Sequence, residues 1–132
     1  MPLARIDLPA GRSAEYRAAV SEVVYRAVVE KLGAPPNDRF QVISEHPEKD
    51  LIIDPAYLGI ERSKEALLIQ VTLNAGRTVE VKRAFYKAVA DGLNLRVGLR
   101  REDVVISLVE VNKEDWSFGN GEAQYAPAEQ SS

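Results

Sequence analysis

The stretch Ala10-Gly11-Arg12-Ser13-Ala14-Glu15 returns, shifted from position 10 to position 75, as Ala75-Gly76-Arg77-Thr78-Val79-Glu80. Each copy offers a glycine that breaks the chain, then a hydroxyl residue suited to cap a helix, then an acidic residue in the first turn. At the same offset Leu8 meets Leu73, Ala19 meets Ala84 and Val24 meets Val89; further on, Gly33 meets Gly98 and Asp38 meets Asp103. An ungapped repeat of this kind marks one supersecondary unit built twice.

In the first unit Leu3 to Leu8 alternates as a strand, with Ala4, Ile6 and Leu8 on one side and Arg5 and Asp7 on the other. Behind Ser13, the residues Tyr16, Ala19, Val20, Val23 and Ala27 recur at helical spacing, opposite Glu15, Glu22, Arg26 and Glu30. Gly33 supplies a left-handed stop and Pro35-Pro36 prevents continuation, so Phe40 to Ser44 reads as the next strand. The second unit predicts a strand over Ala66 to Leu73, a helix capped by Thr78 with Val81, Ala84, Phe85, Ala88 and Val89 as its apolar stripe, a stop at Gly98, and a closing strand over Val104 to Val111.

Parallel strands joined through a helix make right-handed crossovers. The expected architecture is therefore α+β: a tandem β-α-β repeat giving one four-stranded mixed sheet with two helices on one face. Residues 1–132 are read as a single domain, with repeats at about 2–44 and 66–111 and a loose or partner-draped tail over 122–132. The strand over Val104 to Val111 is apolar on both sides, Val104, Ile106 and Leu108 against Val105, Val109 and Val111. A two-layer monomer leaves one of those sides in water, and large apolar patches mark interfaces, so an oligomer is expected.

The chain has 132 residues, 45% hydrophobic and 28% charged, the profile of a globular protein and not of a disordered one. Its net charge is −3, with 17 basic residues interleaved among 20 acidic ones, which argues against a nucleic-acid partner. No apolar run approaches the roughly 20 residues of a membrane span. Cysteine is absent, so disulfides, thiolate metal sites and thiol catalysis are excluded. These features, with an N-terminus that lacks the apolar core of a signal peptide, predict a cytoplasmic protein. His46 is the only histidine and no carboxylate cluster accompanies it at ligand spacing, so no metal site is expected and His46 is read as a structural hydrogen-bonding residue. Phosphate-loop, serine-elbow and zinc-protease motifs are absent.

A duplicated strand-helix-strand unit beginning Met1-Pro2, with Gly11-Arg12-Ser13 opening the helix and Ala34-Pro35 before the second strand, resembles the tautomerase superfamily. Over nearly the whole chain the likeness is to its malonate semialdehyde decarboxylase branch. It is carried by Pro35 with Asn37-Asp38-Arg39-Phe40, Ser44 with His46, Leu58-Gly59 with Arg62-Ser63, Phe85-Tyr86-Lys87, and Asp115-Trp116-Ser117-Phe118-Gly119. The resemblance implies a homotrimer with a cofactor-independent site around each N-terminal proline. Position by position, it makes Pro2 the catalytic amine, Asp38 its polar partner, Arg77 the group that holds a substrate carboxylate, and Trp116 and Phe118 an apolar wall. Decarboxylases of this branch carry a second arginine two residues before the position of Arg77, where this chain has Ala75. That departure counts against decarboxylation more than against enol–keto transfer.

The residues themselves agree with these roles to different degrees. Removal of Met1 would leave Pro2 as a secondary amine; a free α-amino group titrates at about 7.7 to 8.0, low enough to act as a base near neutral pH. Taken alone, a proline at position two is commonplace. Arg77 precedes the second helix, where a planar guanidinium and free amides favour an anion; its repeat mate Arg12 is a weaker candidate. Asp38 and Asp103 both occupy turns, where aspartate is ordinary. Arg39 either pairs with a carboxylate or flanks its strand. Trp116 and Phe118 flank Ser117 and so project to the same side, into a pocket or a subunit interface. The reading that follows is a tautomerase acting on a small 2-oxo acid or its enol. Its rivals are a decarboxylase or hydratase using the same proline and a non-catalytic oligomer that binds a metabolite or partner.

Overall fold

The structure, a computed structural model, describes residues 2–128. Strand β1 (Leu3–Pro9) leads through α1 (Ala14–Leu32) to β2 (Phe40–His46), and β3 (Leu67–Asn74) leads through α2 (Val79–Val97) to β4 (Val104–Val111). The sheet order is β2-β1-β3-β4, with β1 parallel to β2, β3 parallel to β4, and β1 antiparallel to β3. It is the mixed four-stranded sheet that the repeat predicts.

The local chemistry repeats as closely as the sequence. Ser13 accepts the Tyr16 amide at 3.0 Å and Thr78 accepts the Val81 amide at 3.2 Å, each satisfying one orphan donor at a helix start. Gly33 and Gly98 end their helices at φ 75° and 70°, a conformation that costs a β-carbon dearly. The Ala10 amide donates to His46 O and the Ala75 amide to Val111 O, both at 2.8 Å, so each helix-bound turn is tied to the end of its own unit's second strand.

Alternation decides which side of the sheet meets the helices. Ala4, Ile6 and Leu8 of β1 and Leu67, Ile69, Val71 and Leu73 of β3 are buried against both helices, with Val104, Ile106 and Leu108 packed beside them. The apolar stripe on α1 lies slightly off the one the sequence predicts: Val20, Val24, Ala27, Val28 and Leu32 are buried, while Val23 turns toward α2. On α2 the buried set is Phe85, Val89 and Leu93, and Ala84 is exposed, because the face is set by contact with two strands and α1 together. The opposite side of the sheet is largely uncovered within one chain, with Val42 at 39% exposure and Val109 at 38%. These exposed valines, set among Arg5, Asp7, Gln70 and Ser107, are the part of that side that argues for association. The linker between the units forms single 3-10 turns at Glu48–Asp50 and Tyr57–Gly59, and Arg62 Nη1 gathers it by donating to Asp54 O at 3.0 Å and Tyr57 O at 3.3 Å.

The topology brings the candidate residues to one end of the sheet. Because β1 and β2 run parallel, Pro2 and Asp38 sit at the same edge, each just before its strand. Because β3 and β4 run antiparallel to β1, their C-terminal ends arrive there too, carrying Asn74, Arg77, Trp116 and Phe118. Repeat mates Arg12 and Asp103, attached to the ends of β1 and β4 that point the other way, fall at the far end.

Candidate active site

Pro2 is buried and lines a narrow crevice with Tyr25, Asp38, Arg39 and Phe40. Asp38 and Phe40 also line an adjoining open recess of about 390 Å³, walled further by Phe118 and Tyr125. Asp38 is only 7% exposed, and its amide donates to Pro35 O at 3.0 Å, so the Pro35–Asp38 turn fixes the carboxylate between crevice and recess. Met1, on whose removal the basicity of Pro2 turns, lies outside the described residues.

Arg77 does not point freely into solvent. Its Nε and Nη2 donate to Leu32 O at 3.0 and 2.7 Å, and its Nη1 donates to Asn74 O at 2.9 Å. The guanidinium thus caps the last turn of α1, where a cation favours the helix dipole. Of the five N–H donors an arginine carries, three are spent on these carbonyls and two remain, one on each Nη. Ala75, two residues earlier, is exposed and carries no charge.

Trp116 and Phe118 project together, as their spacing predicts, with ring centroids 5.2 Å apart and planes 17° from parallel. Phe40 lies 5.5 Å from Phe118 on one side, and Tyr125 meets it edge-on at 5.9 Å on the other. Trp116 Nε1 donates to Asn74 Oδ1 at 2.8 Å. Asn74 therefore links the aromatic wall to Arg77 through its two oxygens, and periodicity alone gave no hint of that role. Tyr125 was equally hidden, although an aromatic in a tail otherwise made of Ala, Pro, Glu, Gln and Ser was a usable signal. The tail folds back on Phe118 as far as Tyr125, while positions 129–132 lie outside the described residues.

The remaining candidates have other partners. Arg39 places Nη1 3.3 Å from Glu22 Oε2 and Nη2 2.9 Å from Ser21 Oγ, with its guanidinium carbon 4.4 Å over the Tyr25 ring. It borders the crevice while being bound to the flank of α1. Arg12, at the opposite end, lies 3.6 Å from Glu65 and near Tyr16, whose hydroxyl is pushed above its ordinary value by burial, with the Arg12 charge opposing that rise. Asp103 is 1% exposed and accepts from Ser63 N at 2.7 Å and Ser63 Oγ at 2.6 Å, anchoring the entry to β3. His46 Nε2 lies 2.7 Å from Asp7 Oδ1, in the hydrogen-bonding role its sequence suggests. Among the described residues no three of His, Cys, Asp and Glu gather as metal ligands. No helix among them is long and apolar enough to cross a membrane.

Comparison with known proteins places the fold and the family. Two family models, both described as tautomerase enzyme, match residues 38–119 and 2–60. The probable tautomerase YusQ of Bacillus subtilis is 40% identical over 124 residues, covering 94% of this chain and 98% of that protein. Among solved structures, FG41 malonate semialdehyde decarboxylase inhibited by 3-bromopropiolate superposes with a TM-score of 0.87 at 42% identity, covering 93% of each chain. A fused 4-OT solved as a symmetric trimer gives 0.76 at 27% identity, covering 93% of this chain and 97% of that one. The chain belongs to the tautomerase enzyme family, on its malonate semialdehyde decarboxylase-like branch.

Proposed function

We propose that this chain is a cofactor-independent tautomerase that moves a proton within a small 2-oxo acid or its enol, using the amine of Pro2 after loss of Met1. The amine accepts the enol hydroxyl proton as the carbonyl forms, and the resulting ammonium delivers a proton to the adjacent carbon. Substrate and product are isomers, so no co-reactant is needed and Pro2 ends each cycle as it began. Arg77 holds the substrate carboxylate through its two remaining N–H donors, already oriented by the carbonyls of Leu32 and Asn74. Asp38 orients the amine or polarises the carbonyl, and a fixed charged environment stabilises the enolate. The aromatic wall of Trp116 and Phe118 excludes water from the carbon being protonated, and Arg39 shapes the crevice beside Pro2.

The observation that carries this reading is the arrival of Pro2, Asp38, Arg77, Trp116 and Phe118, from four separate strand ends, at one edge of the sheet. A homotrimer fits the uncovered side of the sheet, where Val42 and Val109 are exposed, and the trimeric assembly of a fused 4-OT relative. The absence of cysteine is consistent with a cytoplasmic setting. The test is an ultraviolet assay of phenylenolpyruvate and 2-hydroxymuconate ketonisation by a sample whose intact mass confirms loss of Met1, beside Pro2→Ala. Turnover that collapses in the variant supports the proposal; equal turnover in both removes Pro2 from the mechanism.

A second reading is favoured by the 42% identity to FG41 malonate semialdehyde decarboxylase. In it the same site releases carbon dioxide from, or hydrates, a three-carbon acid, with protonated Pro2 polarising the aldehyde carbonyl. Ala75 weighs against it, since Arg77 alone would have to hold the departing carboxylate. Carbon dioxide release from malonate semialdehyde separates the two readings.

A further inference from the structure

From Phe118 onward the chain closes on itself through the side chain of Gln124. Gln124 Oε1 accepts the Phe118 amide at 2.9 Å, and Gln124 Nε2 donates to Gly119 O at 2.8 Å. The two bonds fall on either side of the peptide that joins Phe118 to Gly119, so a single carboxamide pins residues 118 and 119 from across the turn. That turn runs through Gly119, Asn120 and Gly121 at φ 138°, 60° and 66°, a left-handed path with little stiffness of its own. The Glu122 amide bonds Gly119 O at 3.3 Å, and no further backbone bond between the described residues ties 118 to 125. Gln124 thus holds both ends of the loop in register. Its neighbour Tyr125 is thereby set edge-on to Phe118, at 88° and 5.9 Å, over the recess that Asp38 and Phe40 floor.

Resting on the reading of this recess as the substrate site, we infer that Gln124 is a positioning residue for substrate specificity. It fixes Phe118 and Tyr125 as two apolar walls for a 2-oxo acid that bears a flat aryl or conjugated group. The walls are aromatic faces and edges, which favour a planar π-system over a saturated or very small substituent. The recess is open, and Phe40 sets a third ring beside Phe118. Gln124 lines the same recess, but its carboxamide oxygen and nitrogen are taken by Phe118 and Gly119. Its loss therefore acts on the placement of the two walls and on the affinity for the flat group, away from the proton transfer at Pro2.

The molecule carries its own reporter, since Trp116 is the only tryptophan and stacks on Phe118. The experiment titrates Trp116 fluorescence with phenylpyruvate and, separately, with pyruvate, in the wild type, Gln124→Ala and Gln124→Glu. Removing both bonds in Gln124→Ala should weaken phenylpyruvate binding about tenfold while pyruvate affinity stays within about twofold. Gln124→Glu, which keeps an acceptor for the Phe118 amide, should recover part of the loss. Steady-state turnover of phenylenolpyruvate should show the same change in KM with kcat nearly unchanged. Equal weakening for both ligands, no weakening for either, or no response to phenylpyruvate in the wild type would overturn the inference. Gln124-dependent binding of phenylpyruvate in a protein whose Pro2→Ala variant turns over normally would instead retain it and remove the proposed mechanism.

Discussion

Arg77 is bonded to Leu32: its Nε and Nη2 both donate to that one carbonyl, at 3.0 and 2.7 Å, across 45 positions of sequence. The turn that opens the second helix is thereby fastened to the end of the first. The same guanidinium is proposed to hold the substrate carboxylate, so architecture and binding converge on one side chain.

Arg77→Ala should therefore cost both stability and activity. Leu32 O and Asn74 O lose a charged donor in a half-buried setting, worth about 2 kcal/mol, read by urea unfolding at fixed protein concentration. The value of kcat/KM should fall by about a hundredfold or more. Arg77→Lys should restore part of the stability and little of the activity, because an ammonium cannot span both carbonyls and a carboxylate. Full activity in the lysine variant would show that a point charge suffices.

Asn74 should matter through Trp116. Asn74→Ala removes the acceptor of the indole N–H, which should shift Trp116 emission and lower kcat/KM about fivefold. Asn74→Asp retains an acceptor and should restore both. An unchanged emission spectrum in the alanine variant would mean the indole is held by its ring contacts alone.

The two aspartates at matching repeat positions should part company when each is replaced by alanine. Asp38→Ala should lower kcat by about tenfold or more. Asp103→Ala leaves the Ser63 amide without its acceptor and should cost about 2 kcal/mol in unfolding while kcat of the folded protein stays unchanged. A fall in kcat for Asp103→Ala would contradict the assignment of the far end of the sheet to structure.

Helix packing offers a test away from the site. A methyl group added at Gly92 would lie 2.7 Å from Val23 Cγ1 across the α1–α2 contact, and valine in a helix has little rotamer freedom. Gly92→Ala gains about 1 kcal/mol of helix propensity and meets an overpacking cost of about 1–3 kcal/mol, so it should destabilise by about 1 kcal/mol. Combining it with Val23→Ala should relieve the clash and reveal favourable coupling in a double-mutant cycle. A net gain for Gly92→Ala alone would show that the helices separate easily.

Most of the fold is readable from local signals. Ser13 with Gly33, and Thr78 with Gly98, bound the two helices because a cap and a left-handed stop are short-range chemistry. The alternation from Val104 to Val111 gave β4 its observed limits. The sites of Pro2, Asp38 and Trp116 at one edge follow from strand directions once the repeat is seen. What stayed hidden depends on distant partners: the bond from Trp116 to Asn74 spans 42 positions, and the attachment of Arg77 to Leu32 spans more. The apolar stripe on α1 was displaced for the same reason, since Val28 and Leu32 are buried by strands and turns that helical periodicity does not contain. The Gln124 clasp was invisible because it relies on a left-handed turn that three residues, Gly119, Asn120 and Gly121, can adopt in many ways.

The most direct test of the central proposal alters only the N-terminal nitrogen. A sample in which Met1 is retained, verified by intact mass, is assayed for phenylenolpyruvate ketonisation, treated with methionine aminopeptidase, and assayed again. Acylation by Met1 turns the Pro2 nitrogen into an amide with no useful basicity, so the retained form should be inactive. Activity should appear in proportion to the fraction of chains that begin at Pro2. Equal activity before and after removal would contradict the account and place the proton-transferring base elsewhere.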